Sequence, residues 1–225
     1  RKEQRKKAKA VNFGFVYGMG WRKFKEYARD TYGVTLTDKE AQEWREKFFR
    51  VYHSLPKWHS KQRRIVQSLG QVRSPIGRIR RLPDIYSTDK SKRAEAERQS
   101  INSPVQGFGS DLTILGMSEI MKQSSYCDPD YALDSKKFHV VGTVHDATLF
   151  EVRNDYLMDF CPRAKHILEN PLALKEVFHF ESPVPIVADV AVGRSWGAGR
   201  ELHMDPGDDT WKQEIQEYLD SLKKS

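Results

Sequence analysis

The chain has 225 residues, of which 38% are hydrophobic and 11% aromatic, enough to pack one large domain or two small ones. Its formal charge of +7 favours polyanionic partners, nucleic acid first; no apolar run is long enough to span a membrane, and no signal peptide is visible. Two cysteines, Cys127 and Cys161, form neither a disulfide framework nor a metal-ligand pattern, which implies a reducing, cytoplasmic setting. Residue 1 is Arg and a cation-rich run begins at once, so the chain is expected to be a segment of a longer polypeptide, or a processed or split product.

The stretch from Arg5 to Gly18, RKKAKAVNFGFVYG, reads as one helix. At about 100° per residue, Arg5, Lys9 and Phe13 share a narrow stripe with Tyr17 at its edge, and Ala8, Val11, Phe15 and Gly18 take the other side. Two cations followed by two aromatic rings, one per turn, suit a ligand with phosphates at one end and a planar base at the other, such as a nucleotide. A basic amphipathic surface helix shows the same stripe, so both readings stand on these residues alone. Gly18-Met19-Gly20 stops the helix. Trp21 to Tyr32 makes a second helix closed by Gly33, and Val34-Thr35-Leu36 runs extended. Thr37 opens TDKE, with Glu40 at the capping-box spacing. The helix it starts carries Trp44, Phe48, Phe49 and Tyr52 to about His53. Pro56 opens another, with Trp58, Ile65 and Leu69 inward and Gly70 at its end.

Gln71 to Pro83 has the pattern of a β-hairpin, with Val72 and Ile76 inward, the turn around Pro75-Ile76-Gly77, and Ile79 and Leu82 on the return strand. It carries Arg73, Arg78, Arg80 and Arg81, which suits contact with a phosphate backbone and equally a solvated hairpin. Ser87 to Lys92 is a polar loop. A long helix then runs from about Arg93 to Gln123. Arg98, Asn102 and Gln106 repeat every fourth residue along one stripe, beside an apolar one of Ile101, Val105, Phe108, Leu112 and Leu115. Pro104 removes a backbone donor and predicts a kink or an opened turn. A guanidinium and two amides in a row suit the base edges and sugars of a duplex; an ordinary polar helix face has the same composition.

Phe138 to Val152, FHVVGTVHDATLFEV, is two β-prone runs around His145-Asp146. That turn holds a carboxylate at the end of a rigid ribbon, where a divalent cation can bind it; a purely structural turn is the alternative. Asn154 to Asn170 is a helix with Met158, Cys161 and Ile167 in the core. Pro183 to Val192 reads as a strand, Gly193 to Gly199 ends it, and Trp196 is the expected packing anchor. After Pro206-Gly207 comes an amphipathic helix over Asp209 to Lys223, with Trp211, Ile215, Tyr218, Leu219 and Leu222 on its apolar face.

In order and spacing these motifs resemble the family A (DNA polymerase I) DNA polymerases. Arg-x-x-x-Lys-x-x-x-Phe-x-x-x-Tyr-Gly at positions 5 to 18 is similar to the fingers helix of that family. Gly77-Arg78 to Asp84, the Arg98/Asn102/Gln106 helix within ERQSINSPVQG, Val144-His145-Asp146, and Gly193 to Trp196 follow as the family's later motifs do. The resemblance covers roughly residues 1 to 197. It implies an α+β fold: a mostly helical fingers subdomain over 1–86, the C-terminal part of a palm with a small antiparallel sheet and packing helices over 87–199, and a tail with an amphipathic helix over 200–225. It implies template-directed DNA synthesis, with DNA primer–template and dNTP as partners and no membrane. Arg5 and Lys9 would hold the triphosphate and act in catalysis, Phe13 would pack on sugar and base, and Tyr17 would stack near the templating base. Arg98, Asn102, Gln106 and His145 would contact primer–template DNA. Asp146 would bind catalytic Mg²⁺, one of two ions.

Two departures from the family pattern matter. Position 147 is Ala where the family's turn usually reads His-Asp-Glu; the Glu is an auxiliary group, activity is expected to survive, and the variation points towards a phage enzyme. The family's other metal-binding Asp lies upstream of the fingers helix and would precede residue 1. The chain is therefore expected to need an upstream polymerase segment, in the same parent chain or as a separate subunit. The rival readings are a fragment of a single-subunit phage-type RNA polymerase and a non-catalytic nucleic-acid-binding fragment.

Overall fold

The computed structural model describes residues 2–121 and 129–223; Cys127 and the expected last turn of the long helix lie outside them. The chain divides into two compact units, 1–107 and 108–225. Helices and short antiparallel strand pairs make an α+β fold.

The first unit opens with helices α1 (Lys2–Val16), α2 (Trp21–Tyr32), α3 (Asp38–Val51) and α4 (Leu55–Leu69). Its core is aromatic: the Phe15 ring lies 4.2 Å from Phe24 and 5.6 Å from Phe48, between centroids. A side chain at Gly14 would meet the Phe24 ring at 2.7 Å, so α1 and α2 approach closely only because that residue has no Cβ. The buried face of α1 is Ala10, Gly14 and Phe15, whereas Ala8 is exposed, one position off the expected face. α2 ends at Gly33 in the left-handed conformation, φ 68°, as a Gly after a helix commonly does. Val34 and Leu36 follow, extended and buried, without joining a strand.

The capping box at the start of α3 is complete. The Thr37 N–H donates to Glu40 Oε2 at 2.8 Å, and the Glu40 N–H donates to Thr37 Oγ1 at 3.2 Å. In α4 the inward residues are His59, Gln62 and Val66; Trp58 and Ile65 are half-buried and Leu69 is 63% exposed. The expected apolar face is thus rotated, because α4 closes over polar backbone at the end of α1. Strands β1 (Gln71–Arg73) and β2 (Ile79–Arg81) pair antiparallel, Val72 opposite Arg80. Val72 and Leu82 join Val66, Ile85 and Ala96 in a small core, while Ile76 is half-buried and Ile79 exposed. A 3₁₀ turn, Pro83–Tyr86, leads to α5 (Lys90–Ile120), which starts within the expected loop and continues through Pro104. Ile101 is buried in it and Val105 exposed.

In the second unit, β3 (Phe138–Val144) and β4 (Ala147–Val152) form a hairpin with a two-residue turn and an irregular register between Val140 and Gly142. Phe138 packs with Phe160, Ala164 and Ile167 of α6 (Leu157–Glu169) and with Ile120 at the end of α5. The short helix α7 (Leu172–Glu176) follows. The expected strand over 183–192 is reduced to β5 (Ala191–Val192), paired with β6 (Arg200–Glu201). Its alternating sequence finds no other strand among the described residues. α6 side chains hold its backbone instead: the Ala188 N–H donates to Glu169 Oε1 at 3.0 Å, and Lys165 Nζ donates to the Ala188 carbonyl at 2.6 Å. Trp196 is 60% exposed and anchors no core. The final helix α8 (Thr210–Lys223) buries Ile215 against Leu157, Cys161, Val192 and Leu202, so the tail packs on this chain.

Candidate functional site

The α1 stripe is presented to solvent. Arg5, Lys9 and Phe13 are exposed, Phe13 by 52%, and each lies about 6 Å along the axis from the previous one at 1.5 Å rise per residue. Neither Arg5 nor Lys9 makes a hydrogen bond or ion pair with the described residues, so both charges remain available to an anion. The helix ends at Val16, and Tyr17 sits half-buried in the turn after it, not on the last helical turn as expected. Two contacts fix that turn. The Tyr17 Oη accepts from Gln106 Nε2 at 2.8 Å, and the His59 Nε2 lies 2.7 Å from the Val16 carbonyl. Burial pushes the His59 pKa below its ordinary value, which favours the neutral ring whose Nε2–H donates to that carbonyl. Gly18 follows at φ +78°, and a side chain there would touch Arg63, Ile101 and His59 within about 3.4 Å.

The Arg98/Asn102/Gln106 row runs along α5 as predicted. Arg98 is exposed and paired with Glu95 one turn back. Asn102 is half-buried, and its Oδ1 is buried without a hydrogen-bond partner among the described residues. The Tyr17–Gln106 bond joins two motifs 89 residues apart in sequence.

His145 and Asp146 form the β3–β4 turn, in the second unit. Both are exposed, and neither bonds to a described residue. His145 holds φ +56°, a left-handed conformation that a tight two-residue turn demands and that His tolerates better than most residues. An exposed, uncommitted carboxylate suits Mg²⁺, which is bound through one or two carboxylates plus substrate phosphates. Among the described residues there is no group of three or more His, Cys, Asp or Glu able to hold a metal.

Other polar residues carry weight that the sequence did not signal. His59 is one, buried in α4 with its Nε2 against the Val16 carbonyl. Glu119 is buried and receives the N–H groups of Leu172 and Ala173 at 3.0 and 2.8 Å, capping α7; an acid inside the apolar run ILGMSEIM was its only mark.

Comparison with known proteins fixes the family. The profile of DNA polymerase family A matches residues 1–198. The chain belongs to that family. This family A chain is 31% identical over 207 residues to the DNA polymerase of Bacillus phage SP01, covering 91% of this chain and 21% of the phage protein. It is 29% identical over 194 residues to the thermostable DNA polymerase I of Thermus filiformis, covering 86% of this chain and 20% of that protein. The chain thus spans about a fifth of the length of these relatives. The POL domain of Pol1 from M. smegmatis, in complex with DNA primer-template and dNTP, shares the fold with a TM-score of 0.62 over 79% of this chain and 28% of that one, at 20% identity. The family A match ends at residue 198; β6 and α8 lie beyond it. Among the described residues no helix is long and apolar enough to cross a membrane.

Proposed function

We propose that this chain supplies the fingers and the C-terminal palm portion of a template-directed DNA polymerase, transferring a nucleotide from dNTP to a primer 3′-hydroxyl. The observation that carries the reading is the exposed Arg5–Lys9–Phe13 row on α1, ending at a Tyr17 hydrogen-bonded to Gln106. Arg5 and Lys9, which have no hydrogen-bond or ion-pair partner among the described residues, bind the triphosphate. Lys9 neutralises charge that grows on the phosphates as the bond breaks. Phe13 packs against sugar and base, and Tyr17 stacks beside the templating base. Arg98, Asn102 and Gln106 line the primer–template. His145 contacts the primer end.

Asp146 would hold Mg²⁺, which as a pair of ions activates the 3′-hydroxyl and stabilises the departing pyrophosphate. One carboxylate can bridge two cations but supplies too few ligands to fix both, so a second would come from an upstream palm segment, in the parent chain or a separate subunit. Val184 and Val187, exposed by 64% and 72%, and a β3–β4 hairpin with no third strand among the described residues support a partner segment in the second unit. The test is primer extension by the polymerase assembled from this chain and the upstream segment. Asp146→Asn is expected to abolish extension while primer–template binding persists. Extension at the wild-type rate would overturn the catalytic reading and leave a binding fragment.

A further inference from the structure

A helix leaves the carbonyls of its last turn without intrahelical partners. At the end of α1 the chain closes part of that turn itself. The Met19 N–H donates to the Gly14 carbonyl at 3.1 Å and the Gly18 N–H donates to the Phe15 carbonyl at 3.0 Å, with Gly18 in the left-handed conformation at φ +78°. Such a closure serves the carbonyls of Gly14 and Phe15 and reaches no further along the helix. The next carbonyl, that of Val16, is met from α4 by His59 Nε2 at 2.7 Å.

The His59 ring is fixed where it stands. It is 4% exposed, with the Phe49 ring of α3 perpendicular to it at 6.1 Å and the Trp58 ring at 5.8 Å, between centroids. Its Nδ1 edge and the Arg63 guanidinium both close on Gly18, where an added Cβ would lie 3.4 and 3.3 Å from them. The Val16 carbonyl belongs to the planar peptide unit that joins Val16 to Tyr17. Holding that plane sets the direction in which the Tyr17 side chain leaves the backbone. Gln106 Nε2 holds the far end of the side chain, at the Tyr17 Oη, at 2.8 Å. Tyr17 is therefore fixed at its backbone by α4 and at its tip by α5, and all of these residues lie in the first unit.

We infer that His59 is a positioning residue: through the Val16 carbonyl it sets the Tyr17 ring beside the templating base, and so contributes to selection of the correct dNTP without touching nucleotide or DNA. The inference rests on the DNA-synthesis reading for what Tyr17 meets. It assigns to a histidine 42 positions from Tyr17 a part in specificity that its burial alone would have given to packing.

Two substitutions separate the donor from the bulk. His59→Gln places an amide N–H the same number of bonds from Cα as Nε2 and keeps the donor. His59→Met is flexible enough to fill the space between the rings and removes the donor. The first measurement is the tyrosine ring spectrum of the 225-residue chain by NMR with ¹³C-labelled tyrosine, the Tyr17 signal being assigned by Tyr17→Phe. The Met variant is expected to shift or broaden the Tyr17 signal, and the Gln variant to restore it. The second is primer extension by the polymerase assembled from this chain and the upstream segment, comparing correct with mismatched dNTP. His59→Met is expected to lower that discrimination about tenfold, mainly through the KM of the correct dNTP, with kcat nearly unchanged. His59→Gln should stay close to wild type. Added to Tyr17→Ala, His59→Met should cost nothing more, because the residue it acts through is gone.

A Tyr17 signal unmoved by His59→Met overturns the inference by itself. So do equal losses in the Gln and Met variants, or losses that add in the double variant, which are the marks of a packing residue. A Met variant whose circular dichroism shows it unfolded makes His59 a core residue and overturns the inference as well. Absence of extension by the wild-type assembly overturns the DNA-synthesis reading instead, and the tyrosine spectrum of the chain still decides whether His59 holds Tyr17.

Discussion

Lys9 stands one helical turn beyond Arg5, exposed and without an ion pair among the described residues, so its charge is free to act on a phosphate. Because that charge matters most as negative charge develops, Lys9→Ala should raise the dNTP KM and also depress kcat, with kcat/KM falling about a hundredfold. Steady-state primer extension checks this, and an unaffected kcat would place Lys9 in binding only. Phe13, half-exposed on the same row, would gain a hydroxyl at the sugar in Phe13→Tyr; dideoxynucleotide incorporation should rise, and equal selectivity would remove Phe13 from the sugar contact. Two histidines give opposite pH signatures. The hydrogen bond that the His203 ring donates to Glu214 raises the His203 pKa above 6.5, and the His203 backbone N–H, then its ring, lowers Glu214 below 4.5. Their support for the tail is full between those values. It is lost as pH rises through the raised His203 value and as acid titrates Glu214 through its depressed one. His59, lowered by burial, binds its proton more readily when unfolded, so the first unit loses stability as pH falls below 6.5. Melting curves across pH should show His203→Asn removing the decline above pH 6.5 and His59→Asn removing the decline below it. The α1 and α5 rows were legible because residue type and four-residue spacing carry them. His59 was not, because nothing local tells a histidine that it will meet a carbonyl 43 residues away.

At the scale of elements, local chemistry and the two hairpins were read well, and the strand that depends on a more distant partner was not. The α3 capping box, the Gly33 cap of α2 and the β3–β4 turn each depend on residues within a few positions of one another. Thr37→Ala removes one oxygen that satisfies an otherwise orphaned helix N–H, and should destabilise the first unit by about 1 kcal/mol in chemical denaturation. The strand expected over 183–192 depends on a partner, and only Ala191–Val192 finds one. Trp196 was likewise read as an anchor from its size, but anchoring requires a cavity and it lies in solvent. Gly116 shows the reverse case, where a residue with no side chain is the structural feature. A Cβ there would meet the Leu168 side chain at 2.9 Å and its Cα at 3.1 Å. The gain in helix propensity of Gly116→Ala, about 1 kcal/mol, is outweighed because backbone must shift. A net loss of about 1–3 kcal/mol is expected, and a raised melting temperature would contradict the close α5–α6 approach.

For the molecule as a whole, composition predicted a basic protein with a polyanion partner, and motif order carried the family and, with it, the α+β fold. The placement of α8 required the structure, since its apolar face is equally fit for another chain until Ile215 is seen against Leu157 and Cys161. The measurement that tests the central claim most directly is Mg²⁺-dependent primer extension by this chain alone and then mixed with an upstream palm segment carrying a second metal-binding carboxylate. Inactivity alone, with deoxynucleotide addition restored on mixing and abolished by Asp146→Asn, is the predicted result. Failure to restore extension in a mixture that binds primer–template and dNTP, or restored extension that survives Asp146→Asn, would contradict it.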